Sequence, residues 1–374
     1  MLINVSLLII SIFFNLIKIL YTKLNKKYKF QTFPGFILSK TKIDFLKLYL
    51  NTLKVPLILV TGTNGKTSTT NIINHILTKN NYLVLSNLSG SNLKRGILST
   101  LVLNYYKFFL KKPSYCLFEI DEGTVLEFTK SIPKSIPHTY ILLLNLSRDQ
   151  LDRFGEIDTT AFKIGQAASK KNITLIASKS SYSHYFGTYN ILKNLDNKKL
   201  VQALKINNYP HLIANLNFVT NLFLLLKPVL NYSKVTPYLP VAGRGSTLIY
   251  KRHFLQIHLS KNPVSFNNNL KILLNSDIKH VLVFMNDFIQ DGRDVSWFYD
   301  INYRLIRSAF KNRTVFVAGS RSYDFYNFLK INNIAAFNIL NFSDYLVFAQ
   351  SLGYKSTFVL SNYSATFSIT SYEK

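Results

Sequence analysis

Residues 59–71 read LVTGTNGKTSTTN. An apolar run ends at Val60, and Gly62, Gly65, Lys66 and Thr67 follow it closely. A strand that breaks into glycines and then a Lys-Thr pair predicts a loop that holds phosphate. Glycines let backbone N–H groups turn toward phosphate oxygens, and a helix starting near Lys66 adds its positive N-terminal end. The candidate nucleotide-binding residues in the loop are Gly62, Thr63, Asn64, Gly65, Lys66, Thr67 and Ser68. Among them Lys66 supplies a point charge to terminal phosphates, and Thr67 supplies a hydroxyl for Mg²⁺. The spacing departs from the common G-x-x-x-x-G-K-[ST] pattern, because Val60 stands where the first glycine would be.

Outward from this loop, short apolar runs alternate with helical stretches. VPLILV, YLVLS, YCLFEI, HTYILLLNL and ITLIAS have the texture of strands covered on both faces. Segments such as TSTTNIINHILTKN lie between them, which is the rhythm of βαβ units and a parallel sheet. A second series begins near residue 254 with FLQIHL, HVLVFMN, TVFVAG, AAFNI and TFVLS. Between the two series, VTPYLPVAGRGS reads as a hinge. The expectation is an α/β protein, with a P-loop parallel-sheet central domain at 49–243 and a smaller α/β C-terminal domain at 244–374. A lead-in segment, 1–48, precedes them.

The chain has 374 residues, 48% of them hydrophobic, and a formal net charge of +27. That is ample apolar material for two or three domains and excludes a disordered chain. A basic chain can meet nucleic acid, anionic lipid or an acidic substrate. No dense Lys/Arg block or nucleic-acid-binding signature is present, so scattered solvated lysines are the simpler reading and no nucleic-acid partner is expected. The single cysteine, Cys116, excludes an internal disulfide and any multi-cysteine zinc site, and it fits a reducing compartment.

The N-terminal stretch MLINVSLLIISIFFNLIKIL approaches a membrane span in length and is followed by Lys23, Lys26, Lys27 and Lys29. It lacks the basic start and the small-residue cleavage site of a signal peptide. Asn4, Ser11, Asn15, Lys18, Thr22 and Asn25 fall on one narrow helical stripe, and the rest of the helix is apolar. Three readings stay open: residues 1–29 lie on a membrane surface, the helix packs on the protein body or a partner, or, less favoured, it spans the bilayer.

The wording TGTNGKTS resembles the ATP loop of the Mur ligase family, and further motifs follow in the family's order. SNLSGSNLKRGI (86–97) looks like its Asn-Gly substrate loop, and FEIDE (118–122) like its Mg²⁺-binding motif, which implies Glu119 as a metal ligand beside Thr67. NLSRDQLDRFGEID (145–158), with Asp149-Gln150-Leu151-Asp152, resembles the MurT branch of the family, the synthetase subunits of lipid II isoglutaminyl synthases. AGRGS (242–246) is similar to the hinge motif and implies Arg244 as a phosphate-facing residue. SKNPVSFN (260–267) implies Lys261 and Asn262 on the nucleotide, and ANLNF (214–218) implies Asn215 on the adenine side. DGRDVSWFYD (291–300) is similar to the branch's D-G-x-D-x-S-W motif. It implies that Asp291 or Asp294 meets the catalytic histidine of a partner glutaminase.

The resemblance implies an ATP- and Mg²⁺-dependent ligase of peptidoglycan biosynthesis. It would amidate the D-glutamate α-carboxylate of lipid II to D-isoglutamine through an acyl phosphate, with ammonia from a GatD-like glutaminase. The expected place is the cytoplasm, at the inner face of the membrane. Two departures stand out. A four-cysteine zinc ribbon cannot be built here, and Ser246 replaces the acid that follows G-R-G in the family. The rival readings are a Mur or folylpolyglutamate-type amino-acid ligase, and a degenerate scaffold that keeps only the fold.

Overall fold

Strands that read as unbroken apolar runs need helices on both faces, and both sheets of this molecule have them. The computed structural model describes residues 2–24, 32–88, 91–147, 156–207, 210–238, 244–288, 291 and 294–371. They form two units, one containing the described residues up to Leu146 and from Glu156 to Tyr238, the other Ser147 and those from Arg244 onward.

The first unit opens with helices α1 (Leu2–Leu24), α2 (Phe33–Ser39) and α3 (Phe45–Leu53). Its strands are β1 (Leu57–Thr61), β2 (Val84–Ser86), β3 (Tyr115–Glu119), β4 (Thr139–Leu143), β5 (Ile173–Ala177) and β6 (Asn190–Ile191). Between and after them come α4 (Lys66–Lys79), α5 (Lys94–Phe108), α6 (Val125–Lys130), α7 (Ile157–Ala168), α8 (Lys198–Leu204) and α9 (Pro210–Leu226). All pairings are parallel, in the order β2-β3-β1-β4-β5-β6. Successive residues of a strand point to opposite faces, so each strand serves two cores. On β1, Leu57 and Leu59 enter one core while Ile58 and Val60 enter the other. Ile141 and Leu142 on β4 divide in the same way.

The N-terminal helices belong to this unit, packed on α5. Gly35 permits the closest crossing: its N–H donates to Ser99 Oγ at 2.7 Å, and a Cβ there would stand 1.8 Å from the Arg95 carbonyl oxygen. Helix α1 meets α5 through part of its polar stripe. Ser11 donates to the Val102 carbonyl at 2.6 Å, and Asn15 donates to the Leu103 carbonyl at 3.1 Å. Asn4 and Lys18 are exposed, whereas the Thr22 side chain and Asn25 lie outside the described residues.

The second unit contains β7 (Arg244–Tyr250), β8 (His253–Leu259), β9 (His280–Phe284), β10 (Thr314–Ala318), β11 (Phe337–Asn338) and β12 (Ser356–Ser361). Its helices are α10 (Pro263–Leu274), α11 (Tyr303–Phe310), α12 (Ser322–Ile331), α13 (Phe342–Ser351) and α14 (Tyr363–Thr370). The order is β11-β10-β9-β12-β8-β7, parallel except that β7 runs against β8. Val281 and Val283 of β9 face one core, Leu282 and Phe284 the other.

Strand β7 is absent from the sequence reading, and its turn explains why. Tyr250 pairs with His253, leaving a two-residue loop of Lys251 and Arg252 with φ of 43° and 70°. Such loops favour Asn-Gly because both residues sit in the left-handed region. Lys-Arg gives no such signal and stores strain.

Two outcomes are expected. Replacing Lys251-Arg252 with Asn-Gly relieves the turn and stabilises the second unit by about 1 kcal/mol in urea melts. Gly35→Ala forces α2 away from α5 and costs about 2 kcal/mol by the same measurement. An unchanged midpoint for Gly35→Ala would mean that the crossing is loose.

Candidate functional site

The phosphate loop lies where β1 ends, in the middle of the first sheet. The connection after β1 runs to one side of the sheet, through α4 to β2, and the connection after β4 runs to the other. Ligands of open α/β sheets bind at the carboxyl ends of strands at such a switch point. The loop is fixed by its neighbour. Thr63 N–H donates to the Asn145 carbonyl at 3.0 Å. The Asn145 side chain accepts from Asn64 N–H at 3.0 Å and donates to the Asn64 carbonyl at 3.0 Å. Gly62 makes this approach possible: at φ 124° a Cβ would lie 2.7 Å from the Asn145 carbonyl oxygen. Gly65 caps α4, and a Cβ on it would come within 2.7 Å of the Asn215 amide nitrogen. Asn215, on α9, is therefore brought to the loop.

Thr63, Lys66, Thr67 and Ser68 are all buried. Lys66 Nζ donates to the Gly62 carbonyl at 2.5 Å and pairs with Glu122 Oε2 at 2.8 Å. Burial alone would push the Lys66 ammonium down, but Glu122, Glu119 and Asp121 together hold it above the ordinary lysine value. Lys66 is thus a charged, buried cation paired with Glu122.

Glu119 ends β3, is 4% exposed and stands in register with Val60 of β1. Its backbone is held from both sides by Asn87, which accepts from Glu119 N–H at 2.8 Å and donates to the Glu119 carbonyl at 2.9 Å. Asn87 belongs to the SNLSGSN stretch, so that loop steadies the acidic strand end; its Ser89 and Gly90 lie outside the described residues. The residues present fit a magnesium nucleotide. Mg²⁺ takes oxygen ligands and keeps several waters, so one carboxylate and one hydroxyl beside phosphate oxygens suffice. Cys116, three residues before Glu119 on β3, is fully buried, and burial pushes its thiol up, which makes it a packing residue.

The second unit holds the other candidates. Arg244 opens β7 opposite His258, with its side chain outside the described residues. Lys261 and Asn262 follow β8. Asn262 is 1% exposed and caps α10, accepting from Ser265 N–H at 2.9 Å, while Ser265 Oγ accepts from the Lys261 and Asn262 N–H groups. Asp291 accepts from Ser364 N–H at 2.8 Å, from the Ser364 hydroxyl and from Phe288 N–H at 3.2 Å. Burial pushes its carboxyl up, and these hydrogen bonds partly offset that. Asp294 accepts from Ser296 N–H at 2.8 Å. Asp291 thus ties its loop to the start of α14, and Asp294 holds its own turn. Trp297 packs edge-on against Phe298. Asp149, Gln150, Leu151, Asp152, Arg153, Phe154 and Gly155 lie outside the described residues, as do Ala242 and Gly243 of the hinge motif.

Two residues of the site escaped the sequence reading. Asn145 carries no charge and belongs to no spacing rule, although it opens the stretch that resembled the MurT branch. Glu122 was visible as the last acid of FEIDE, but only geometry shows which acid reaches Lys66.

Comparison with known proteins agrees with this architecture. Residues 60–209 match the Mur ligase middle domain, and residues 259–366 match the MurT ligase C-terminal domain. A relative from Staphylococcus aureus, the subunit MurT of lipid II isoglutaminyl synthase (glutamine-hydrolysing), is 25% identical across 89% of this chain and 90% of its own. The MurT subunit of Streptococcus pneumoniae is 34% identical over a shorter stretch, 37% of this chain and 29% of its own. Among solved structures, MurF from Acinetobacter baumannii superposes with a TM-score of 0.64 at 15% identity, covering 87% of this chain and 77% of that one. Folylpolyglutamate synthase from Mycobacterium tuberculosis, complexed with ADP, gives 0.60 at 11% identity over 90% and 96%. At such identities these two likenesses speak for the fold. With the middle domain on the phosphate-loop unit and the C-terminal domain on the second, the chain belongs to the Mur ligase family of ATP-dependent ligases, in its MurT branch.

Proposed function

We propose that this chain is the synthetase subunit of a lipid II isoglutaminyl synthase. It amidates the D-glutamate α-carboxylate of lipid II to D-isoglutamine, using ATP, Mg²⁺ and ammonia released by a GatD-like glutaminase. The observation that carries the reading is the buried, charged Lys66 in a loop clamped by Asn145, beside the strand-end acid Glu119. A degenerate scaffold has no reason to keep a buried cation among carboxylates, an arrangement that is costly unless it is used. The relatives' name, a subunit of a glutamine-hydrolysing enzyme, supports ammonia as the nucleophile and a separate partner as its source.

The chemistry follows from the acceptor. A carboxylate is a poor acyl donor because oxide would have to leave. Its oxygen attacks the terminal phosphorus of ATP, the bond to ADP breaks, and an acyl phosphate forms. Ammonia then attacks the acyl carbon, phosphate leaves, and the nitrogen loses a proton to give the amide. This is mainly positioning and charge neutralisation. Lys66 offsets the charge of the transferring group, and Arg244, Lys261 and Asn262 keep the nucleotide-contacting roles that the family resemblance implies. Thr67 and Glu119 hold Mg²⁺, which supplies further charge stabilisation when bound. One of Asp291 and Asp294 meets the glutaminase's histidine. A lipid-linked acceptor puts the reaction on the cytoplasmic face of the membrane.

The test is reconstitution with lipid II, ATP, Mg²⁺ and either ammonium or glutamine plus the glutaminase, with mass spectrometry of the product. The expected product carries a carboxamide in place of the D-glutamate α-carboxylate, and Lys66→Ala lowers the rate about 10²-fold or more. Incorporation of an amino acid, with ammonia ignored, would overturn the reading. A second measurement concerns the acids. Glu119→Gln removes the Mg²⁺ dependence of ATP binding. Glu122→Gln frees Lys66 from its ion pair and tightens Mg²⁺-free ATP binding by about tenfold, the worth of one charge-assisted contact. Both are read by calorimetry.

A further inference from the structure

Helix α1 is amphipathic, but it is turned the opposite way from a helix on a soluble domain, which buries apolar side chains and shows polar ones to water. Ser11 is fully buried against α5, and Asn15 reaches the Leu103 carbonyl there. Leu7 and Phe14 are buried beside them, and the Tyr49 hydroxyl donates to the Leu7 carbonyl at 3.1 Å. The side facing away is apolar. Ile9, Phe13, Leu16 and Leu20 recur there at helical spacing with Ile12 and Ile19, each between 45% and 62% exposed. Cations gather toward the C-terminal end: Lys18 and Lys23 are exposed, and Lys26, Lys27 and Lys29 follow in the sequence.

We propose that α1, while fixed on α5, is a membrane-docking face. Its apolar side sinks into the interface of an anionic phospholipid bilayer, the helix axis lies along the surface, and Lys18 and Lys23 contact lipid phosphates. Length alone would allow Ile3–Tyr21 to cross a bilayer. Crossing, however, would strip Ser11 and Asn15 from their carbonyl partners and uncover Leu7 and Phe14. The lying geometry keeps every one of those contacts. Charge complementarity selects the occupant: an apolar face flanked by the exposed Lys18 and Lys23, on a chain of net charge +27, matches an anionic lipid surface. The inference stands whether or not the amidation reading holds, because it uses no residue of the nucleotide site.

The test uses the full chain and sedimentation with large unilamellar vesicles of phosphatidylcholine, with and without phosphatidylglycerol. Binding is expected with phosphatidylglycerol and weakened by added salt. The double variant Ile9→Glu/Leu16→Glu, whose positions face outward and whose melting is checked against the parent, loses at least about tenfold in vesicle affinity. A Phe13→Trp reporter, read as a difference from the parent with its single Trp297, shifts to the blue on binding. It is quenched more by lipids brominated near the headgroup than by those brominated near the chain ends. Absence of binding by the parent, or equal binding by the Glu variant, overturns the proposal. So does deepest quenching by chain-end bromines, which would indicate a span. A lipid-independent dimer dissolved by the same substitutions would assign the face to a second copy and overturn it equally.

Discussion

Asn145, just past the end of β4, grips the backbone of the loop after β1 with both ends of its amide, and Gly62 leaves the space for it. The nucleotide end of the first unit hangs on this contact. It ties the loop to the strand beside it and thereby sets where α4 begins. The start of α4 in turn fixes Lys66 against Glu122 and Thr67 in the first turn. A loop held this way needs little rearrangement to receive phosphate, which is what electrostatic preorganisation requires. The acids on the other side of β1 are steadied in parallel by Asn87. Two neutral amides therefore organise a site whose working groups are charged.

Much of the fold was legible because both sheets bury both faces. A strand covered on two sides must be apolar at every position, so VPLILV, YCLFEI and HVLVFMN announce themselves without alternation. The phosphate loop was equally plain, since few other structures need Gly62, Gly65, Lys66 and Thr67 so close together. Strand β7 was not legible: its turn uses Lys251 and Arg252, which populate the left-handed region against their preference, so the usual turn vocabulary is missing.

The site shows the same division. Residue type pointed to Lys66, because a lysine beside glycines at a strand end has few structural uses, whereas Glu119 was singled out only by the resemblance of FEIDE to a family motif. Residue type could not choose among Glu119, Asp121 and Glu122, three acids within four positions, because the choice depends on which side chain turns toward Lys66. Asn145 is an ordinary uncharged residue whose importance is entirely geometric. Periodicity found the polar stripe of α1 but could not tell its direction. A period gives the faces of a helix and leaves open which of them meets protein, and here Ser11 and Asn15 turn inward.

The order of the second sheet has a consequence for how the chain is made. Its strands run β11-β10-β9-β12-β8-β7, so β12, the last to be synthesised, stands between β9 and β8. Until residues 356–361 arrive, β8 and β9 have no hydrogen bonds to each other and both present open edges. A nascent chain stalled before that point would carry two apolar strands, each with one unpaired edge, which invites sticking to other chains. Completion of the second unit is in this sense a single late event during synthesis, in which one inserted strand closes the sheet and joins its two halves.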